Sequence, residues 1–252
     1  MLSFVRIVVL VTCFLTVAHS FDFPRNADQT LWALNTCIKE SKASSKTADL
    51  WKDLNFEKSE ETYCFVQCLW TYLGVYDEKT KIFNADAVKI QFQKRGVSIP
   101  KGLDKLKVIT RGTCKDIFDL TKDFLKANKK ELKFIFYWTP ETQKDWFDKN
   151  KGKVKNVNQK ASDFCKNEED LCRLNCRFYY YRLVDEDLRV VFFTKPRING
   201  ISDAQINKCR LEANQTTGCA VAKVLKQCLD KIDAEKVEKA LQMWDETSKT
   251  YA

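Results

Sequence analysis

The strongest constraint on this chain is a pair of cysteines four positions apart that occurs twice. Glu60–Trp70 reads EETYCFVQCLW, and Asp170–Tyr181 reads DLCRLNCRFYYY. Around the first pair the apolar positions Phe65, Leu69, Trp70 and Leu73 recur at helical intervals. Cysteines four apart on a helix share a face, with Cβ atoms about 5–6 Å apart. A disulfide needs about 3.8 Å. Cys64 and Cys68 therefore reach different segments, and their helix becomes a post to which two neighbours are pinned. In the first half the available partners are Cys37 and Cys114, because no other cysteine lies between Ser20 and Cys165. Geometry does not choose between the two pairings. A long loop such as Cys64–Cys114 would restrict the unfolded chain by roughly 4 kcal/mol. The second half carries Cys165, Cys172, Cys176, Cys209, Cys219 and Cys228.

Such staples need an oxidising compartment, and the first twenty residues point to one. Met1–Ser20 has a single basic residue, Arg6, then an apolar run, then the small-residue ending Ala18-His19-Ser20. That is the layout of a cleavable secretory signal. The run from Ile7 to Val17 is too short to span a membrane, which takes about 20 apolar residues. Cleavage removes Cys13 and leaves ten of the eleven cysteines, an even number suited to disulfides. It also removes His19, the only histidine. The mature chain then has no imidazole for a Ser-His or Cys-His nucleophile pair, for a histidine zinc site, or for a secreted phospholipase. The seven glycines are scattered and form no phosphate-cradling loop. A four-cysteine zinc site would usually place its paired ligands two residues apart, not three. We expect a binder with no cofactor and no metal, and not an enzyme.

Periodic apolar segments predict helices near 28–44, 59–74, 84–94, 113–128, 130–148, 157–167, 168–182, 202–213, 217–230 and 233–249. Asp233 has the character of an N-cap to the last, where Val237, Ala240, Leu241 and Trp244 share a face. The strand-like run is LRVVFF, Leu188–Phe193. The fold class expected is all-α. The repeated staple favours two domains, 21–155 and 156–252, each small enough to lean on disulfides.

The cysteine order C…C-x3-C…C-x9-C-x8-C in a helical secreted chain resembles the insect odorant-binding-protein fold, about six helices around an apolar cavity. Two such domains in one basic chain resemble the long-form "D-seven" salivary proteins of blood-feeding flies. The stretches LWALNTCIKE (Leu31–Glu40), CFVQCLWTYLGVYD (Cys64–Asp77), FIFYW (Phe134–Trp138) and CRFYYYRLVDED after Asn175 carry that likeness. The resemblance implies the bridges Cys37–Cys68, Cys64–Cys114, Cys165–Cys176, Cys172–Cys219 and Cys209–Cys228. The second domain departs from the general fold in the gap from Cys165 to Cys172, which is six residues where about two dozen are usual. That compresses the second-domain helices and any cavity they enclose.

The resemblance also implies a secreted sink for host mediators, with cysteinyl leukotrienes and thromboxane in the first domain and biogenic amines in the second. Onto this sequence it places Trp51 as a pocket wall, Phe65 beside the staple cysteine, Tyr137 as a hydroxyl donor, Lys153 for the ligand head group, and Arg177 closing the site from the second domain. The residues themselves agree in chemistry. Glu131–Lys160 carries Phe134, Phe136, Tyr137, Trp138, Trp146 and Phe147 at its front, and five lysines between Lys144 and Lys155 at its rear. Aromatic walls with a cationic mouth suit an elongated apolar molecule ending in a carboxylate. Rings packed as core beneath a solvated lysine face are the plainer arrangement of such a block.

An amine pocket would need carboxylates beside aromatic faces. The candidates Asp245 and Glu246 are adjacent, so on a helix they splay by about 100°, and a working amine site is not expected. The formal charge of +9 becomes +8 once Arg6 is lost. A heparin-like or other anionic surface is the alternative partner. Nucleic-acid recognition and membrane insertion are not expected, and the chain is expected to be monomeric. Asn214-Gln215-Thr216 is a glycosylation sequon, so Asn214 should face solvent.

Overall fold

The structure is a computed structural model that describes residues 23–250, so the signal segment expected at Met1–Ser20 lies outside the described residues. The first half opens with α1 (Ala27–Ser41), α2 (Ser45–Lys52) and α3 (Glu60–Tyr72). A two-residue hairpin pairs Tyr76–Asp77 with Ile82–Phe83. It leads into α4 (Ala85–Lys94), α5 (Cys114–Ala127), α6 (Lys129–Ile135) and α7 (Pro140–Lys149). The second half contains the single turn α8 (Ala161–Phe164), α9 (Asp170–Tyr180), α10 (Asp203–Ala213) and α11 (Ala220–Thr247).

Local sequence explains the helix boundaries. Asn26 and Gln29 form a capping box at α1, Thr113 and Asp116 one at α5, and Ser202 and Gln205 one at α10. Ser59 caps α3 through the Thr62 amide, and Glu60 and Glu61 complement the dipole of its first turn. Three expected boundaries move. The helix expected over 28–44 stops at Ser41, and the next turn restarts at the Ser44 cap to give α2. The helix expected over 130–148 breaks where Tyr137 adopts a left-handed φ of 56°. Thr139 then caps a new helix with Pro140 in its first turn. Leu188–Phe193 is not a strand. The Asp185 carboxylate captures the amides of Asp187 and Arg189, closing a tight loop that leaves one isolated bridge, Val184 to Val190. Asp233 behaves as expected: it is non-helical inside α11, and its carboxylate accepts the Lys236 amide at 3.1 Å.

The five disulfides are those the resemblance implies: Cys37–Cys68, Cys64–Cys114, Cys165–Cys176, Cys172–Cys219 and Cys209–Cys228. Each Cys-x3-Cys helix is a post. Helix α3 is bonded to α1 and to the start of α5, and α9 to the turn after α8 and to the residue before α11.

Two apolar cores follow. The first gathers residues from Ala33 to Trp138 and is rich in rings, with Trp51, Trp70, Phe83, Phe92 and Phe136 all 1% exposed or less. The second runs from Phe178 to Leu241 and is mostly aliphatic. A polar seam joins the halves. Arg182 donates to the Asp28 carboxylate at 2.6 Å, and both side chains are fully buried. Gln29 donates to Glu186, Lys195 pairs with Glu78, and Asn35 donates to the Thr250 carbonyl.

Candidate ligand-binding site

Two of the expected site residues meet. Trp51, in the last turn of α2, stacks on Phe65 of α3 with centroids 4.2 Å apart and planes 15° from parallel. Its indole N–H donates to the Thr62 hydroxyl at 3.2 Å. Deeper in the same core, Phe136 lies between Trp70, edge-on at 6.2 Å, and Trp138, stacked at 5.0 Å. The indole N–H groups of Trp70 and Trp138 are buried and have no hydrogen-bond acceptor among the described residues. Buried donors of that kind are few in folded proteins, because each unpaired group costs about 1–3 kcal/mol.

Tyr137 has different neighbours. Its left-handed backbone turns the ring beneath the Arg95 guanidinium at 4.1 Å, edge-on to Trp146 at 6.3 Å. Arg95 also covers the half-exposed Phe134 at 4.7 Å. Burial raises the Tyr137 phenol above its ordinary pKa, so the group stays a hydroxyl donor.

The lysine block divides into three environments. Lys144 and Lys149 pair with Asp148 and Asp145 along α7. Lys153 is exposed in the turn that follows, its amide held by the Asn150 carbonyl at 2.9 Å. Lys155 is buried in the seam, facing the Tyr180 ring at 5.6 Å, and burial lowers its pKa to about 8.

Arg177 lies with second-half residues and donates to the Tyr181 hydroxyl at 3.1 Å. That hydroxyl in turn donates to Asp245 at 2.8 Å. Asp245 also accepts from the Ser162 amide at 2.8 Å and the Ser162 hydroxyl at 2.6 Å. Glu246 turns outward to Lys160 and Lys249. The two carboxylates splay as expected of neighbours on a helix, and the inner one is saturated by internal donors. Asn214 is half-exposed at the end of α10.

A feature missing from the sequence analysis is a cavity of about 410 Å³ between the halves. One wall is Trp32 stacked on Tyr72 at 5.1 Å. Trp244 and its neighbours at the end of α11 and the loop Thr194–Arg197 also line it. The Trp32–Tyr72 pair is more than a hundred residues from the other two segments, so no local pattern announces the cavity.

Helices stapled by i, i+4 cysteine posts over two apolar cores, the first rich in rings, define an odorant-binding-like ligand carrier. In agreement, residues 24–131 match the PBP/GOBP family model. Over nearly its full length the chain belongs to the long-form D7 salivary proteins. It is 37% identical over 240 residues to a long form salivary protein of Phlebotomus duboscqi, covering 93% of this chain and 94% of that one. The solved native D7 protein from Phlebotomus duboscqi superposes with a TM-score of 0.80 over 92% of this chain and 100% of its own, at 37% identity. A further structure, the AeD7–leukotriene E4 complex, shares the fold at a TM-score of 0.72 and 17% identity, covering 92% of each chain. Matches to this binding family and to salivary proteins of this type involve no catalytic family.

Proposed function

We propose that this chain is a secreted salivary scavenger that sequesters host eicosanoids in residues 21–155. Cysteinyl leukotrienes are the first ligand and thromboxane the second. Binding them opposes vasoconstriction, platelet aggregation and inflammation at the bite. The observation that carries this reading is the ring-lined first core with two buried indole donors, Trp70 and Trp138, left without acceptors. A lipid bearing hydroxyl or carbonyl oxygens supplies those acceptors, while its chain lies against the rings of the Trp51–Phe65 wall. Support from outside the chain is the leukotriene E4 complex of a protein with the same fold.

Each part of the ligand then has a counterpart. Apolar burial at about 0.8 kcal/mol per methylene supplies most of the affinity. The Tyr137 hydroxyl and the cations Arg95 and Lys153 fix the carboxylate end. Arg177 is engaged by Tyr181, so its contribution is the smallest of the set. A scavenger works without turnover and must match its mediator mole for mole. Nanomolar binding, about −12 kcal/mol, is the scale required.

Calorimetric titration of the secreted protein with leukotriene E4 at low and high salt tests this. One-to-one binding that changes little with salt is expected. Lys153→Ala should weaken it by roughly 1–3 kcal/mol, and Tyr137→Phe by less because the ring survives. No heat at either salt, together with heparin retention that collapses as salt screens surface charge, would transfer the function to anionic surfaces.

A further inference from the structure

We propose that the open edge of the small sheet, at Val108–Thr110, is a docking strand for an extended acidic segment of a partner protein. Ile109 bridges Ile82 of the hairpin in the antiparallel sense. The Phe83 amide donates to the Val108 carbonyl at 3.4 Å, and the Thr110 amide to the Lys81 carbonyl at 2.9 Å. Those two bonds bracket Ile82 and Ile109, which are therefore the non-hydrogen-bonded pair of this ladder. The N–H and C=O of Ile109 consequently point away from the hairpin, and neither has a hydrogen-bond partner among the described residues. Ile109 is 76% exposed and Ile82, opposite it, 44%. An edge with free backbone groups beside exposed apolar side chains is a template for one more strand.

Charge selects the occupant. From Lys101 to Gly112 the chain carries Lys101, Lys105, Lys107 and Arg111 against one acid, Asp104. A second copy is the wrong partner. Two such edges paired antiparallel about Ile109 would set Lys107 of one against Arg111 of the other, and like charges directly opposite destabilise a ladder. An acidic strand reverses the sign. With its central residue across from Ile109, it exchanges both backbone bonds there and lays that side chain beside the two isoleucines. The residues two positions to either side then fall opposite Lys107 and Arg111. The pattern recognised is an apolar residue with an acid two places before it and another two places after. Lys107 pairs with Asp86 at 2.7 Å and Arg111 with Asp116 at 2.6 Å. Surface pairs of this kind contribute little and are readily exchanged. Gly112, at a φ of 90°, turns the chain away after Arg111, which keeps the edge short and the complex transient. Trp51, Phe65, Tyr137, Lys153 and Arg177 are not part of this edge, so docking here is independent of lipid binding.

The test is nuclear magnetic resonance of the full secreted chain, isotope-labelled, with the peptide Ser-Glu-Thr-Val-Thr-Glu-Ser blocked at both ends. Saturable shifts centred on the Ile109 amide are expected, with slower hydrogen exchange of that amide in the complex. N-methylation of the central valine removes one donor, keeps every charge, and should weaken binding about tenfold. Replacing both glutamates by lysine should abolish binding. Ile109→Glu, at an exposed position, should abolish it as well, and Ile109→Val should retain it. Equal binding of the N-methylated peptide, or shifts that leave Ile109 untouched, would overturn the inference. So would self-association of the free protein that Ile109→Glu removes, which would give the edge to a second copy. Shifts at the same amides with heparin but none with the peptide would give it to an anionic polysaccharide.

Discussion

The two halves share a staple and differ in what they do with their polar groups. In the first half, α3 is pinned on both sides and the interior it guards is rich in rings, two of which carry unpaired N–H donors. In the second half, α9 is pinned in the same way, but the interior is aliphatic and the key carboxylate is taken up by the protein itself. Asp245 has three internal donors. An interior with unpaired donors gains from a guest. A carboxylate already engaged by three internal donors must first break those bonds, although the second half too keeps buried unpaired atoms at Asn175 Nδ2, Arg210 Nε and Asp230 Oδ1. The lesson is that a shared cysteine frame fixes the architecture, whereas the pairing of particular groups, the Trp70 and Trp138 indoles against the Asp245 carboxylate, decides what each half can offer a guest.

The largest expected effect tests whether the halves are separable at all. Asp28→Ala leaves the buried Arg182 guanidinium without its carboxylate and should destabilise the fold by about 3–5 kcal/mol. Urea unfolding followed by tryptophan fluorescence reads it. A loss below about 1 kcal/mol would mean that the seam is loose and the halves are independent.

Asp245→Asn sharpens the contrast from the second half. It should cost about 1–3 kcal/mol, because donors tuned to a carboxylate lose their charge-assisted acceptor. The wild-type protein should give no heat with histamine or serotonin. Measurable amine binding would show that the internal bonds yield to a guest, which would break the comparison.

Lys155 makes a prediction in pH. Its folded pKa, about 8, lies below the ordinary value of 10.5, so the folded protein holds fewer protons there than the unfolded chain. Stability contributed by this group therefore rises as pH increases from about 8 towards 10.5. Between pH 8 and 9.5 the gain should be roughly 1–2 kcal/mol in denaturant titrations. Lys155→Met should remove the slope and lie above the wild type at pH 8.

The smallest effect belongs to Asp53, which Lys129 and Lys133 hold at a pKa of about 2. Its contribution is present above the ordinary carboxylate value and is lost as pH falls towards 2. The side chain is 47% exposed, so screening limits the loss on Asp53→Asn to below about 1 kcal/mol.

Much of this architecture was legible in the residues. The spacing of Cys64 and Cys68 excluded a mutual bridge, and the cap at Asp233 separated the two arms of α11. The break at Tyr137 was written as Thr139-Pro140 but masked by the apolar periodicity on either side. Leu188–Phe193 misled because β-branched composition carries no information about Asp185, whose carboxylate bends the chain back. Of the candidate site, Trp51 and Phe65 stack on one another, while the seam cavity was invisible. Trp32, Tyr72, Arg197 and Trp244 belong to no shared period.

The Asp28–Arg182 pair also sets a schedule. The two residues are 154 positions apart, and a ribosome adding 5–20 residues per second needs on the order of ten seconds to produce the second after the first. Helix α1 can be made, and Cys37 can meet Cys68, well inside that interval. Until it ends, the acidic first turn of α1 has no cation, and the seam is an open face in a lumen crowded with other unfinished chains. The first half must therefore wait, partly assembled, for a residue not yet synthesised, and a slower or stalled ribosome prolongs that exposure.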